Sequence, residues 1–146
     1  MALPPTPHLP PRLLLGLLPA ASAACSDDAG PGPADPLERE PDQAVHVDVE
    51  QDGFTRFTWT PGCGMASLQV MGPGGGWVLY SGEDAAENPI GPGVTYGFPP
   101  EGTLEPSPAA SLQSGAEYVV TVYRWIGEPG GPGSLFPKGS SYFQAR

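Results

Sequence analysis

From Ala44 onward the chain alternates apolar and polar residues. Val45, Val47 and Val49 are interleaved with His46, Asp48 and Glu50, the period of a half-buried β-strand. Asp52-Gly53 follows as a turn signal. Phe54 to Thr60 then predicts a second strand, with Phe57 and Trp59 on one face and Thr58 and Thr60 on the other. Pro61-Gly62-Cys63-Gly64 interrupts it. Ala66, Leu68 and Val70 resume the period of two, and Gly72-Pro73-Gly74-Gly75-Gly76 ends it. Trp77 to Tyr80 predicts a fourth strand, and Val94, Tyr96 and Phe98 a fifth. Residues 99–111, rich in Pro and Ser, are expected as a loop. Tyr118 to Ile126, YVVTVYRWI, is the strongest strand of the region. A Gly/Pro loop separates it from a last strand near Ser140 to Gln144. No stretch shows helical periodicity. About seven short strands with turns between them predict an all-β fold, an antiparallel β-sandwich over residues 44–146.

The first 43 residues follow another pattern. Arg12 precedes the apolar run Leu13-Leu14-Leu15-Gly16-Leu17-Leu18, and Ala20, Ala21, Ser22, Ala23 and Ala24 lead to Cys25. This is the charged, apolar and small-residue order of a secretory signal over residues 1–24. The apolar run falls short of the ~20 residues that span a bilayer as a helix. Residues 26–43, SDDAGPGPADPLEREPDQ, hold no aromatic and one large aliphatic, Leu37. Such a segment cannot form a core, and it is expected as a flexible tether. At about 3.1 Å per residue, a Pro-rich chain of this length reaches roughly 50 Å.

Ser22-Ala23-Ala24-Cys25 resembles a bacterial lipobox, with Ser22 where that motif usually has Leu. The resemblance implies that Cys25 is diacylated and becomes the mature N-terminus, a membrane anchor. Several acyl chains hold stably, because each buried CH₂ contributes about 0.8 kcal/mol. Ser26 is not the Asp that retains many Gram-negative lipoproteins at the inner membrane, so the resemblance implies the outer membrane. The alternative is an ordinary signal, cleaved after Ala23 or Ala24, that yields a secreted or periplasmic protein.

The segment LQSGAEYVVTV resembles the fibronectin type III pattern that leads into its sixth strand. Leu112, Gly115, Tyr118, Val120 and Val122 occupy the matching places, with Ser114 where the family usually has Pro. The resemblance implies that Tyr118 forms a tyrosine corner, its ring inward and its hydroxyl on nearby backbone. Trp59 likewise matches the family's second-strand Trp. Because tyrosine corners occur in other sandwiches, the implied fold is Ig-like in the broad sense.

Charge and residue scarcity then limit the chemistry. The chain carries 16 acids against 6 Lys and Arg, a net charge of −10. Removal of residues 1–24 takes away Arg12 and no acid, giving −11. Such a surface repels phosphate backbones, so nucleic acid is excluded as a partner. The region after the leader holds one His, His46, and two cysteines, Cys25 and Cys63. A His/Cys zinc site needs three or four ligands, and a Ser-His-Asp triad would have only His46, on a polar strand face. No catalytic residue, metal or cofactor is expected, and His46 reads as a solvated surface residue. Cys63, in a Gly-rich turn, is expected as a small residue packed near the core if Cys25 is acylated, the alternative being an intermolecular disulfide or a reactive thiol. If the leader is an ordinary signal, a Cys25–Cys63 disulfide becomes possible. Glu83, Asp84 and Glu87 lie in one loop without EF-hand spacing, and are expected as a solvated acidic loop. Gly72 to Gly76 lacks the Lys-Ser/Thr of a phosphate loop.

Aromatic residues remain. In the Tyr118 strand, Val119, Thr121, Tyr123 and Trp125 share the face opposite Tyr118, Val120 and Val122. Either neighbouring loops such as 99–111 cover that row, or it presents a patch to a glycan or protein. Trp77, Tyr123 and Trp125 are the expected contact aromatics. The chain thus reads as a non-catalytic envelope lipoprotein carrying a binding or structural module. An accessory carbohydrate-binding module is the alternative.

Overall fold

The computed structural model describes residues 44–83, 85–128 and 130–146. The leader, Cys25 and the tether therefore lie outside the described residues, as does Asp84. Among the described residues there is no helix, and eight strands form two antiparallel sheets. In chain order they are β1 (His46–Gln51), β2 (Thr55–Thr60), β3 (Ser67–Gly72), β4 (Gly75–Tyr80), β5 (Val94–Thr95), β6 (Leu104–Ser107), β7 (Glu117–Gly127) and β8 (Gly133–Gln144). One sheet has the order β1-β2-β5 and the other β6-β4-β3-β7-β8. The all-β sandwich expected from the alternation is present.

The inner faces meet in one core. Val47 from β1, Phe57 and Trp59 from β2, and Leu68 and Val70 from β3 are buried, together with Trp77 and Leu79 from β4 and Tyr118, Val120 and Val122 from β7. An aromatic seam crosses from sheet to sheet. Phe57 lies 6.5 Å from Trp77, 6.5 Å from Tyr96 and 5.7 Å from Phe143, centroid to centroid. Phe143 in turn stacks on Tyr118 at 5.6 Å. Spacings of 4.5–7 Å are those at which aromatic pairs attract beyond simple burial.

Tyr118 has the geometry of a tyrosine corner. Its ring is buried, and its hydroxyl accepts the Gln113 N–H at 3.0 Å. Gly72 makes room for that ring, because a Cβ on Gly72 would collide with it. Trp59 is also buried, and its indole donates to the Cys63 carbonyl at 2.6 Å.

Three boundaries depart from expectation. The 99–111 segment contains β6, which pairs with β4. Its Pro106 sits on a sheet edge, where a missing N–H costs no ladder bond. β5 shrinks to two residues because the chain turns back through a Thr95–Phe98 bridge. β8 begins at Gly133 and extends β7 as a long hairpin, with a register shift opposite Val122 and Tyr123.

β1 also runs beside β8 in the same direction. Val45 N–H donates to Lys138 O at 2.9 Å, and Gln51 Nε2 donates to Gln144 O at 3.0 Å. A Cβ on Gly139 would strike the Val45 carbonyl, so this close passage requires glycine.

Two predictions follow from the packing. Gly72→Ala forces a methyl against the Tyr118 ring and should destabilise the domain by about 1–3 kcal/mol, measured by denaturant unfolding. The Tyr96 hydroxyl donates to Ala110 O at 2.7 Å. Burial, and secondarily Tyr118, hold its pKa above the ordinary 10.0. The folded state therefore favours the neutral phenol. Its contribution to stability is intact below the ordinary value and is lost as pH rises through the raised one. Tyr96→Phe should show a shallower alkaline loss of stability than the parent in thermal melts above pH 10.

Candidate functional site

The two outer faces of the sandwich differ in chemistry. The outer face of the three-stranded sheet is polar and charged. His46, Asp48, Glu50 and Arg56 are exposed there, and His46 Nε2 lies 3.1 Å from Asp48 Oδ1. A pair this exposed contributes little to stability. Among the described residues the partner of His46 is Asp48, itself exposed.

On the outer face of the five-stranded sheet the charge on β7 lies at its start, where Glu117 is exposed opposite Gln144; the three rows beyond it carry none. The register aligns the side chains of this face in rows across the strands. One row runs Gly76–Met71–Val119–Tyr142. The next runs Val78–Gln69–Thr121–Ser140. The third runs Tyr80–Ser67–Tyr123. Tyr142 is 71% exposed and Met71 47%. Val78, Tyr80, Val119, Thr121 and Tyr123 are half-buried. Ser67 is fully buried, and its hydroxyl has no hydrogen-bond partner.

Of the three expected contact aromatics, Trp77 lies elsewhere. It faces inward, is fully buried, and donates from Nε1 to Glu105 Oε1 at 2.5 Å. The period-two rule put Trp77 in a strand without saying which face was inner, and Leu79 shares its inner face. Tyr123 and Trp125 do lie on the outer side of β7. Tyr142 escaped notice because the last strand was read only by its ends. The alternation Tyr142 out, Phe143 in would have revealed it.

The segment that folds over Trp125 is residues 81–92, not 99–111. Asn88 Nδ2 donates to Trp125 O at 2.9 Å, and Trp125 N–H donates to Asn88 Oδ1 at 2.7 Å. One side-chain amide thus replaces a neighbouring strand where β3 has ended. Ser81 Oγ donates to Glu87 O at 2.8 Å, and Gly130 N–H donates to Ala86 O at 3.3 Å. The Trp125 indole donates to Glu128 O at 3.0 Å, which folds the ring along the hairpin rather than out from it.

A shallow groove opens beside Tyr80, lined by Glu83, Leu104, Glu105 and Pro106. Among the described residues, no group of three or more His, Cys, Asp or Glu could hold a metal ion. Two further aromatics, Phe54 and Phe98, are 66% and 63% exposed and meet edge to face at 6.2 Å on the loops of the smaller sheet. The sequence placed Phe54 at the start of the second strand and Phe98 in the fifth, but β2 starts at Thr55 and β5 ends at Thr95, which leaves both rings on the connecting loops.

Cys63 is 3% exposed and disulfide-bonded. It packs against the core, as expected for a small residue, but it is not a thiol. No family model, curated protein or solved structure matches the chain.

Asn88→Ala removes both bonds to Trp125 and leaves its backbone groups unsatisfied, a loss of about 1–3 kcal/mol where such groups are buried. Amide exchange at Trp125 and Ile126 should accelerate at least tenfold while exchange at Val120 stays slow, as read by hydrogen-exchange mass spectrometry.

Proposed function

We propose that this chain is an exported, non-catalytic binding module of a bacterial cell envelope, and that it binds through the outer face of its five-stranded sheet. The observation that carries this reading is the uncharged row structure around Met71, Gln69, Thr121 and Tyr142 in a chain of net charge −10. Depletion of charge with enrichment of Tyr and Met is the composition of binding surfaces. His46 is exposed and paired with a likewise accessible Asp48, which supports a binding role over a catalytic one.

Export is supported twice. The leader has the order of a secretory signal, and the disulfide at Cys63 suits an oxidising compartment. The same disulfide makes a claim on the anchor. Cys25 is the one other cysteine of the chain. A Cys25 sulfur carrying diacylglycerol as a thioether cannot enter a disulfide. The lipid-anchored form therefore requires Cys63 to pair outside the chain, and the internally bridged form requires an ordinary signal cleavage.

Two measurements test the reading. The intact mass of the mature protein should lack residues 1–24. A lipid increment then selects the anchored form, the loss of two hydrogens relative to the reduced chain selects the bridged form, and retention of the leader overturns export. For the surface, Tyr142→Arg should lower retention on isolated envelopes at least tenfold, while Thr58→Arg on the opposite face leaves it unchanged. Equal retention of both variants overturns the assignment of the face.

A further inference from the structure

We infer that the outer face of the five-stranded sheet binds an uncharged polysaccharide chain laid across the strands. This inference rests on the proposed role of that face as the binding surface and names its ligand class.

The middle row supplies the hydrogen-bonding chemistry. Gln69, Thr121 and Ser140 stand side by side on β3, β7 and β8. All three carry neutral groups that both donate and accept. Among the described residues none of them makes a side-chain hydrogen bond, so each can exchange water for a sugar hydroxyl. Tyrosines flank the row on both sides, Tyr142 on one and Tyr123 with Tyr80 on the other. Residues two apart on a strand are about 7 Å apart, so each flanking row lies that far from the middle one. The result is a strip of hydroxyl and amide groups about the width of one sugar ring, walled by aromatic rings. Aromatic rings offer their faces to the C–H faces of a sugar while the polar strip meets its hydroxyls.

Charge and size decide against other occupants. An anionic polymer is repelled by a body of net charge −10. A cationic one would meet carboxylates only at the borders, Glu117 beyond Val119 and Glu83 beyond Tyr80, and none within the three rows. A second copy of this chain needs roughly 800 Å² per partner for a stable interface. Four strands at about 4.8 Å and three rows at about 7 Å span only a few hundred square ångströms between their centres. A slender chain uses such a strip fully, whereas a facing sheet would not.

The test is calorimetric titration of the exported protein with cellohexaose, chitohexaose and maltohexaose, and with polygalacturonate as the charged comparison. At least one neutral hexasaccharide should bind. Tyr142→Ala and Gln69→Ala should each weaken that binding at least tenfold, while Thr58→Ala leaves it unchanged and all three keep the parent's thermal midpoint. Both test positions are on the outer face, so the core is untouched, and Gln69→Ala serves should Tyr142→Ala fail to fold. Binding to no neutral saccharide, binding only to polygalacturonate, or binding indifferent to both variants overturns the inference. Sedimentation of the same samples separates this failure from failure of the face itself. A dimer that Tyr142→Arg converts to monomer would keep the face as a binding surface and make a second copy its occupant. Envelope retention insensitive to Tyr142→Arg would remove both.

Discussion

Phe57 is the contact on which the sandwich depends. It projects from the middle strand of the smaller sheet and meets Trp77, Tyr96 and Phe143 at once. Through Phe143 it reaches Tyr118. One fully buried ring thereby joins β2 to β4 and β8, which lie on opposite sides of the central strand β3. Burying Trp77 beneath it has a cost, because an indole N–H removed from water needs an acceptor. Glu105 supplies one, which draws residues 104–107 against β4 as a sheet edge. A strand with two prolines near it exists here because an aromatic in the core requires its carboxylate.

The same packing separates the two outer faces. With the large aromatics committed to the core, the smaller sheet turns His46, Asp48, Glu50 and Arg56 outward and reads as ordinary solvated surface. The larger sheet turns out Met71, Val119 and three tyrosines without a charge among the three rows. Asn88 and the 81–92 segment finish one end of that face by saturating Trp125. The open area is thus bounded on one side by a covering loop.

Much of this was legible in the alternation of side chains. The strands at Val45–Val49, Phe57–Thr60, Leu68–Val70 and Tyr118–Ile126 declare themselves because one face of each is buried and the other is not. β6 and the first half of β8 do not, since edge strands are held by their neighbours rather than by their own pattern. Trp77 was misplaced for a related reason. A run of Trp, Val, Leu and Tyr is apolar at every position, so the period of two has no polar partner to orient it. Tyr118 was readable because its motif fixes the ring inward. The outer rows were hidden because they are assembled from four strands, and their lack of charge is visible only once the registers align them.

β1 lies against two strands at once, antiparallel to β2 and alongside β8, tied to the latter at Lys138 and Gln144. A free strand edge is a template on which another chain can pair. At Lys138 and Gln144 the β8 backbone is already bonded to the chain's own first strand and its neighbour Val45, so a further strand would have to displace β1 there. What is left open elsewhere carries Pro137 on β8 and Pro106 on β6, residues that cannot donate to a new ladder. On the larger sheet, both edges are therefore poor templates for a further strand, and the smaller sheet offers at its β5 edge only two residues.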